Sequence, residues 1–421
     1  MTVRTTVAAL AALAAVRVVV PLAALAASGS KLPALPRYDY VATTGDGSGF
    51  YAATREFLAS WGRLGAPLVA LLALATVAVA VLLVWMWRQR PDRRAYVLAV
   101  GAGAFGLLVC AAVSQMNESG AAVFGWPLVW SLPMLPYRGL GGPLDADIAF
   151  AFGLVLSLAA NVVTVVATYF VGVHATGRRA LGLTAAALFA LWPLLTGTIA
   201  GSSAWENGTW TVDAGLVMYT EPLSTALLTA ALALLLSPRA TPVRSAVTGI
   251  ALSFATVVKL TDGLLVALGL AVVLLVRRPV APYLAGAVSF LPLIAVYWPL
   301  GYASLFDNPN SWPRDPFSGS YVLSSWTDSL LFTPRLLVLL VPLAALGALL
   351  LRAGRASGIL VAWALAPAVF YSFYRVTWEH PRFIFASLPP LFVLWAAGAL
   401  GVVDWARGRI HSAESPAIAR R

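Results

Sequence analysis

The chain alternates between long apolar segments and polar or charged connections. About twelve apolar segments can be counted, each near the ~20 residues that a helix needs to cross a bilayer. They cover residues 5–27, 65–87, 95–115, 148–173, 180–200, 216–236, 244–258, 263–276, 281–299, 335–351, 357–372 and 386–403. The two short segments, 244–258 and 263–276, are tolerated where such helices are buried among neighbours or line a cavity. The pattern predicts an all-α polytopic membrane protein with about 12 transmembrane helices.

Arginines mark every second connection, and this sets the predicted orientation. The basic positions are Arg88, Arg90, Arg93, Arg94, Arg178, Arg179, Arg239, Arg244, Arg277, Arg278, Arg352 and Arg355. Arg4 lies before the first segment, and Arg407, Arg409, Arg420 and Arg421 follow the last. Short basic connections face the cytoplasm under the positive-inside rule. We therefore expect a plasma-membrane protein with both termini in the cytoplasm.

The remaining connections are longer and face outward in this arrangement. They cover residues 28–64, 116–147, 201–215, 298–334 and 373–385, and they carry most of the acidic residues. Only Asp92, Asp404 and Glu414 of the 17 acids fall on the predicted cytoplasmic side. Residues 1–405 are predicted to form one transmembrane domain, with residues 406–421 as a cytoplasmic tail.

Composition agrees with a membrane protein and excludes several functions. Hydrophobic residues make up 60% of the chain and charged residues 11%, against about 25% charged in soluble domains. The net charge of +11 follows from the positive-inside bias, so nucleic acid is not expected as a partner. A single cysteine, Cys110, excludes an internal disulfide and a cysteine-based metal site. The chain lacks GxxxxGK[ST], HExxH and GxSxG motifs, so ATP-driven transport and metalloprotease chemistry have no support.

The first apolar segment contains Arg17 near its middle. The segment is long enough to span a bilayer, which favours a retained first helix over a cleaved signal peptide. A charged side chain at that depth requires a partner or water.

The first outer connection reads as a glycine-rich turn followed by an amphipathic helix. The turn is residues 44–49, TGDGSG, and the helix begins near Phe50. The predicted apolar face holds Phe50, Ala53, Thr54, Phe57, Trp61 and Leu64, and the polar face holds Arg55, Glu56, Ser60 and Arg63. Such a helix suits a membrane surface. Asp46 in the turn is a candidate general base for a hydroxyl nucleophile, although aspartate before a helix also serves as an N-cap. Asp39 is its nearest rival.

Tryptophans are frequent in the outer connections. They include Trp126, Trp130, Trp205, Trp210, Trp298, Trp312 and Trp326. Aromatic side chains anchor membrane proteins at the interface, and in long acidic loops they also suit stacking on sugar rings. Both interpretations stay open from the sequence.

Three further polar positions fall on the predicted outer side. Glu221 lies at the outer end of the sixth segment, before Pro222, a position typical of a helix start. An acid this close to the bilayer is costly unless it is paired, which also favours a functional role. Lys259 and Asp262 lie in the tight turn between the two short segments. Lys259 could bind an anionic lipid head group, pair with Asp262, or extend to the interface.

A basic cluster precedes the last apolar segment. Arg375, Glu379, His380 and Arg382 lie within the stretch 374–382, YRVTWEHPR. Two arginines and a histidine beside a membrane could clamp a phosphate, or form a structural knot of salt bridges. The histidines do not form a set that suggests a zinc site.

Four stretches together resemble the GT-C class of membrane glycosyltransferases, in particular the polyprenyl-phosphate-sugar-dependent branch with protein mannosyltransferases and aminoarabinose transferases. Residues 45–51, GDGSGFY, followed by 53–58, ATREFL, resemble the first outer loop of that class. Residues 221–223, EPL, are similar to its Ser-Glu-Pro element. Residues 256–265, TVVKLTDGLL, resemble its basic turn between short spans. Residues 382–383, RF, followed by 388–391, LPPL, resemble the Arg-Tyr and proline start of a late helix.

The resemblance implies a fold, a reaction and partners. It implies a GT-C-like helical fold with a juxtamembrane helix and loops on the outer face. It implies inverting transfer of a mannosyl- or arabinosyl-type sugar from a polyprenyl-phosphate donor within membrane lipid to an unidentified acceptor hydroxyl. Asp46 would be the base, and Lys259, Arg382 and Arg375 would stabilise the leaving phosphate. Glu221 and His380 would contact the substrate. No metal cofactor is required, although a divalent cation is compatible. Many relatives have two adjacent acids in the first loop, whereas Asp39 and Asp46 are separated here.

Two other functions compete with the glycosyltransferase. A twelve-span transporter of a small or lipid-linked solute would show internal repeats and helices broken near the midplane, and no repeat is seen in the sequence. A membrane scaffold that binds a partner through its outer loops would tolerate the loss of Asp46.

Overall fold

The structure, a computed structural model, describes residues 2–28, 53–60, 66–90, 93–113, 125–141, 146–199, 220–297, 318–324, 334–351, 354–373 and 380–414. Within these ranges every regular element is helical. The α-helices are α1 (Val3–Ser28), α2 (53–60), α3 (Ala66–Gln89), α4 (Arg94–Val113), α5 (Gly125–Gly139), α6 (Ala146–Thr176), α7 (Arg179–Ile199), α8 (Glu221–Leu236), α9 (Pro242–Val258), α10 (Gly263–Leu275), α11 (Val280–Ala287), α12 (Leu291–Tyr297), α13 (Tyr321–Ser324), α14 (Pro334–Leu350), α15 (Arg355–Ser372) and α16 (Leu388–Glu414). Leu260–Asp262 and His380–Ser387 form 3-10 segments.

The predicted apolar segments are helical over most of the residues that the structure describes, which confirms the all-α class. The segment 281–299 differs from the prediction because it forms two helices, α11 and α12, separated by a turn at residues 288–290. In the described part of the chain, five helices are long and apolar enough to cross a membrane. These apolar helices support an integral membrane protein. The twelve spans and their orientation stay predictions.

Helices α8 and α9 lie at the centre of the packing. Helix α8 packs against α6, α9 and the 3-10 segment His380–Ser387, and α9 also contacts α4, α5, α10 and α11. The main hydrophobic core extends from α6 and α7 through α8 to α16, with Phe189, Trp192 and Phe392 among its largest fully buried side chains. Burial of such aromatic side chains contributes strongly to stability because each removes a large apolar area from contact with water or lipid head groups. Residues at the two ends of α8 and α9 are therefore held by a rigid frame.

Helix α2 confirms the predicted helix of the first outer connection over residues 53–60. Its apolar side packs on protein. Phe57 contacts the core that contains Val257, and Leu58 contacts the core that contains Val258. Arg55 is exposed, as predicted, but Ser60 is buried and donates a hydrogen bond to the Phe57 carbonyl at 2.8 Å. The placement of Ser60 on a polar face was wrong, because a hydroxyl that bonds back to its own helix can be buried at little cost.

Helix α5 lies within the second outer connection and corrects the interpretation of two tryptophans. Trp126 and Trp130 are fully buried, with ring centroids 6.1 Å apart. Trp130 Nε1 donates to the Ala149 carbonyl at 2.5 Å. These two residues therefore form neither an aromatic belt nor a sugar-stacking surface. The sequence places both residues in a connection between apolar segments, so it did not indicate that α5 packs against α6 and α9.

Arg17 contacts side chains of two other helices. Its side chain is fully buried, and its Nη2 donates to Asn161 Oδ1 on α6 at 3.0 Å. The guanidinium also lies 4.8 Å from the centroid of the Phe189 ring on α7. A hydrogen bond and a cation–π contact are the interactions that an arginine at this depth requires. Arg17 thus fastens α1 to α6 and α7.

Helices α14 and α16 approach so closely that only glycine fits at their crossing. A Cβ on Gly398 would collide with the Leu343 carbonyl oxygen, and one on Gly347 would collide with the Leu394 carbonyl oxygen. Such pairs of small residues allow membrane helices to bring their backbones together.

We expect Gly398→Ala to lower the stability of the purified chain by about 1–3 kcal/mol, because the new methyl group meets backbone that cannot move aside. Gly358→Ala is the matched control, since a Cβ there meets nothing within 4 Å and alanine favours helix by about 1 kcal/mol. Thermal unfolding in detergent measures both. Equal melting temperatures for the two variants would contradict the close crossing.

Candidate functional site

The candidate site is built around the first turn of α8. Pro222 takes one of the first helical positions, where its missing N–H costs no hydrogen bond. The preceding acid, Glu221, is the first residue of the helix and is only 4% exposed. Its Oε2 accepts a hydrogen bond from Thr220 Oγ1 at 3.3 Å. An acid buried this deeply needs a cation, which the neighbouring turn supplies.

The turn between α9 and α10 places Lys259 beside Glu221. Helix α9 ends at Val258, and Lys259 then adopts an extended backbone, with its N–H still bonded to the Ala255 carbonyl at 2.7 Å. Residues Leu260–Asp262 form one 3-10 turn, and α10 begins at Gly263. This arrangement confirms the tight turn predicted between the two short segments.

Lys259 and Glu221 form a buried ion pair. The Lys259 Nζ lies 3.2 Å from Glu221 Oε1, and the two side chains are 12% and 5% exposed. The same Nζ is 5.2 Å from the centroid of the Tyr371 ring on α15. The lysine therefore pairs with Glu221, a partner that was not among the alternatives drawn from the sequence, which were an anionic lipid head group, Asp262 and the interface. Removing either partner of a buried ion pair leaves an uncompensated charge away from water, which is strongly destabilising.

Asp262 completes a second contact between the turn and α8. Its Oδ2 accepts a short hydrogen bond from Ser224 Oγ, one turn along α8 from Glu221. Burial raises the pKa of the Asp262 carboxyl to about 7, opposed by the charge of Lys259 and by the Ser224 hydrogen bond. Burial therefore favours the protonated form of this carboxyl more than it would for an ordinary surface aspartate.

The end of α15 closes the other side of the turn. The Tyr371 hydroxyl lies 2.7 Å from Thr261 Oγ1, and its ring is buried against Lys259. Neither Tyr371 nor Ser224 was predicted from the sequence. Ser224 stands three residues after Glu221, a spacing that places both on one face of a helix start, so this signal was available. Tyr371 carried no local signal, because its partners are more than a hundred residues away.

Two predicted outer segments converge on the end of α9, next to Lys259. Leu58 of α2 belongs to the same hydrophobic cluster as Val258, and Phe57 belongs to the same cluster as Val257. Gly125 at the start of α5 lies so close that a Cβ would stand 2.5 Å from the Val258 backbone nitrogen. The residue that follows Val258 is Lys259. The site therefore lies where α2, α5, α8, α10 and α15 meet.

The other predicted site residues lie wholly or partly outside the described residues. Asp39, Asp46 and Arg375 are outside them. His380 and Arg382 belong to the 3-10 segment His380–Ser387, which packs against α15 and α8. The structure describes the backbone of these two residues and not their side chains. The structure thus brings Glu221, Lys259 and Asp262 together, and it places the backbone of Arg382 in an element that packs on the same helix as Glu221.

The described cluster holds two carboxyl groups, one ammonium group, a phenol and three hydroxyls. With Asp262 ionised its formal charge is negative, and with Asp262 protonated it is neutral. Carboxylates of this kind accept hydrogen bonds from hydroxyl groups of a ligand, whereas a phosphate would require further cations. Across the described residues, no group of three or more His, Cys, Asp or Glu side chains could hold a metal ion.

Comparison with solved structures gives a structural likeness. No protein-family model matches the chain, and no curated protein matches it. The chain is similar to the crystal structure of ArnT from Cupriavidus metallidurans in the apo state, with 20% identity and a TM-score of 0.42. The likeness covers 70% of this chain and 53% of ArnT, so the chain spans about half the length of that protein. A TM-score at this level is too low to transfer an activity to the chain.

Proposed function

We propose that the chain is a membrane glycosyltransferase that moves a sugar from a polyprenyl-phosphate donor to an acceptor hydroxyl on the outer face of the membrane. The observation that carries the proposal is the buried cluster of Glu221, Lys259 and Asp262 at the point where α2 and α5 meet the end of α9. Buried ionisable groups at the end of apolar helices are expensive and usually functional. The carboxylates suit the hydroxyl groups of a sugar, and a phosphate bound beside them would need further cations besides Lys259.

The position of α2 supports a contribution from Asp46. Helix α2 is described from residue 53, and Asp46 precedes it by seven residues. A chain of that length extends at most about 25 Å, since each residue spans at most ~3.6 Å. Phe57 and Leu58 share hydrophobic clusters with Val257 and Val258, the residues that precede Lys259, and this proximity of α2 to the site supports Asp46 as the base. Asp39 is farther along the chain and is the weaker candidate.

In the proposed reaction, the acceptor hydroxyl oxygen attacks the anomeric carbon as the bond from that carbon to the phosphate oxygen breaks. The polyprenyl phosphate leaves with the bonding electrons, and the Asp46 carboxylate takes the hydroxyl proton. Attack from the side opposite the leaving group inverts the configuration. No redox partner is needed.

We propose separate roles for the acids and the cations. Glu221 and Asp262 would accept hydrogen bonds from sugar or acceptor hydroxyls. Lys259 is already paired with Glu221, so it can neutralise only part of a phosphate charge. Arg382 and Arg375, with His380, would supply the rest, because guanidinium groups bind phosphate in a bidentate manner. This set of cations makes a divalent metal unnecessary, although one is compatible.

The transporter remains the second candidate because of the break between α11 and α12. A broken helix is a feature of transporter sites. Here Ser289 Oγ donates to the Gly286 carbonyl at 2.7 Å, and Phe290 packs with Val257 in an apolar core. The described residues of the break thus satisfy one another and offer no charged group to a solute.

A vesicle experiment separates the two functions. The full chain is reconstituted into liposomes that contain polyprenyl-phosphate sugars labelled in the sugar, with detergent-treated vesicles assayed in parallel. We expect the labelled sugar to be transferred to an acceptor, or released as free sugar by hydrolysis. Polyprenyl phosphate should accumulate whether or not the vesicles are intact. Label that accumulates unchanged inside intact vesicles, and is lost when they are opened, would establish transport instead.

A further inference from the structure

A second cluster of charged groups lies at the other end of α8, away from Glu221. Helix α8 has 16 residues, so its ends are separated by about 24 Å. At its C-terminal end, Arg244 from α9 and Arg278 from the connection after α10 contact Ser237, and His174 from α6 contacts Ala233 one turn earlier. These residues belong to connections predicted to face the cytoplasm.

The arginines are drawn together by carbonyl groups. Arg278 Nη2 donates to the Ser237 carbonyl, and Arg244 Nη1 donates to Ser237 Oγ. Both guanidinium groups also approach the Arg239 carbonyl at 3.4 Å. His174 Nδ1 lies 2.8 Å from the Ala233 carbonyl, one turn earlier on α8. Two guanidinium groups that share one acceptor repel each other, and a nearby anion would offset this repulsion.

Arg278 is not an ordinary solvated cytoplasmic arginine. It is only 7% exposed, and its Nε has no hydrogen-bond partner in the described structure. Burial lowers the pKa of its guanidinium, and the charge of Arg244 lowers it further. Within the described ranges, no aspartate or glutamate forms an ion pair with Arg244, Arg277 or Arg278. A largely buried cation with no carboxylate partner in the described ranges favours an anion close to the arginine cluster.

Arg277 adds an independent observation. Its φ of 54° lies in the left-handed region, at the position after a helix where glycine is favoured. The Arg278 N–H bonds back to the Val273 carbonyl at 2.9 Å, which closes the end of α10 in the usual way. The side chain of Arg277 is exposed. A strained arginine in place of glycine suggests that its charge is used.

The surroundings select the kind of anion. Leu274 and Leu275, immediately before Arg277, are 58% and 51% exposed. On an apolar helix, such exposed leucines face hydrocarbon chains. A basic site whose rim is apolar suits an amphiphile with a phosphate head group, and basic pockets between helices on the cytoplasmic side bind anionic lipids.

We propose that Arg244, Arg277 and Arg278, at the junction of α8, α9 and α10, bind the phosphate head group of an anionic lipid in the cytoplasmic leaflet. The head group would receive hydrogen bonds from the exposed Arg277 guanidinium, with the positive charge of Arg244 and Arg278 beside it and the acyl chains along Leu274 and Leu275. This site is separate from the one proposed for sugar transfer and does not depend on that function.

The test uses the full chain in detergent, titrated with phosphatidylglycerol, with phosphatidylcholine, and with inorganic phosphate. Melting temperature follows binding, because a ligand that binds only the folded state stabilises it. We expect phosphatidylglycerol to raise the melting temperature well above the effect of phosphatidylcholine. Inorganic phosphate should have little effect at the same concentration. If inorganic phosphate reproduces the whole effect, the lipid assignment is wrong.

The decisive variant is Arg277→Gly. Glycine favours the left-handed backbone, so the lipid-free melting temperature should stay the same or rise. A change in the titration midpoint can then not be attributed to misfolding of the variant. Loss of one arginine near the lipid surface should raise the midpoint of the phosphatidylglycerol titration about fivefold. Arg244→Gln should have a similar effect on the midpoint. Arg88→Gln, at the end of α3, is the control and should leave the midpoint unchanged. Equal midpoints for all four proteins would overturn the proposal.

Discussion

Asp46→Asn is expected to lower sugar transfer from a polyprenyl-phosphate donor by about 10²–10⁴-fold, the contribution of a general base. The substitution keeps the size of the side chain and removes the carboxylate that takes the proton from the attacking hydroxyl. Asparagine caps helices as well as aspartate does, so a capping role for Asp46 predicts almost no change. The measurement is the initial rate of transfer in membranes that contain equal amounts of inserted protein.

Asp39→Asn serves as the matched control for Asp46→Asn. Both residues lie in the first outer connection, and both substitutions remove one carboxylate. The account expects Asp39→Asn to retain activity within a few-fold of the unmodified chain. Full activity in Asp46→Asn would refute the base assignment, and loss of activity only in Asp39→Asn would transfer that role to Asp39.

Lys259→Met is expected to remove activity and to destabilise the chain by about 3–5 kcal/mol, the usual result of breaking a buried pair on one side. The substitution removes the cation that faces both Glu221 and Asp262. Glu221→Gln should destabilise less, because Asp262 can still face the lysine. The double substitution, Glu221→Gln with Lys259→Met, should recover much of the stability but none of the activity.

Thermal unfolding and transfer rates of the four proteins form a double-mutant cycle. A coupling energy of about 0.5–3 kcal/mol is typical of residues in contact. Coupling near zero would contradict the buried pair. Normal transfer by the stable double variant would show that the pair serves only the fold.

The sequence predicted most of the helices and the tight turn at Lys259. Hydrophobic runs of sufficient length specify helices in a membrane protein, because unsatisfied backbone groups cannot remain in lipid. Glu221 and Lys259 were also identified as candidates, since charged groups near a bilayer are rare. Their pairing was not predicted, because it depends on the crossing of α8 and α9.

The remaining differences have physical causes that do not appear locally in the chain. Trp126 and Trp130 look like interface residues until α5 is seen to pack against α6. Ser60 looks polar, yet its hydroxyl bonds to its own helix. The contribution of Tyr371 arises from the approach of α15 to the turn at Thr261. Contacts between residues far apart in sequence leave no periodic pattern along either segment.

The most direct test of the account is the release of polyprenyl phosphate from lipid-linked sugar donors by the purified chain in lipid nanodiscs. Mass spectrometry follows the loss of each donor and the gain of polyprenyl phosphate, across donors that carry different hexoses and pentoses. The account predicts release from at least one donor by the unmodified chain, and none above background by the folded Glu221→Gln, Lys259→Met double variant. Equal release by both proteins, or no release from any donor while the chain is folded, would contradict it.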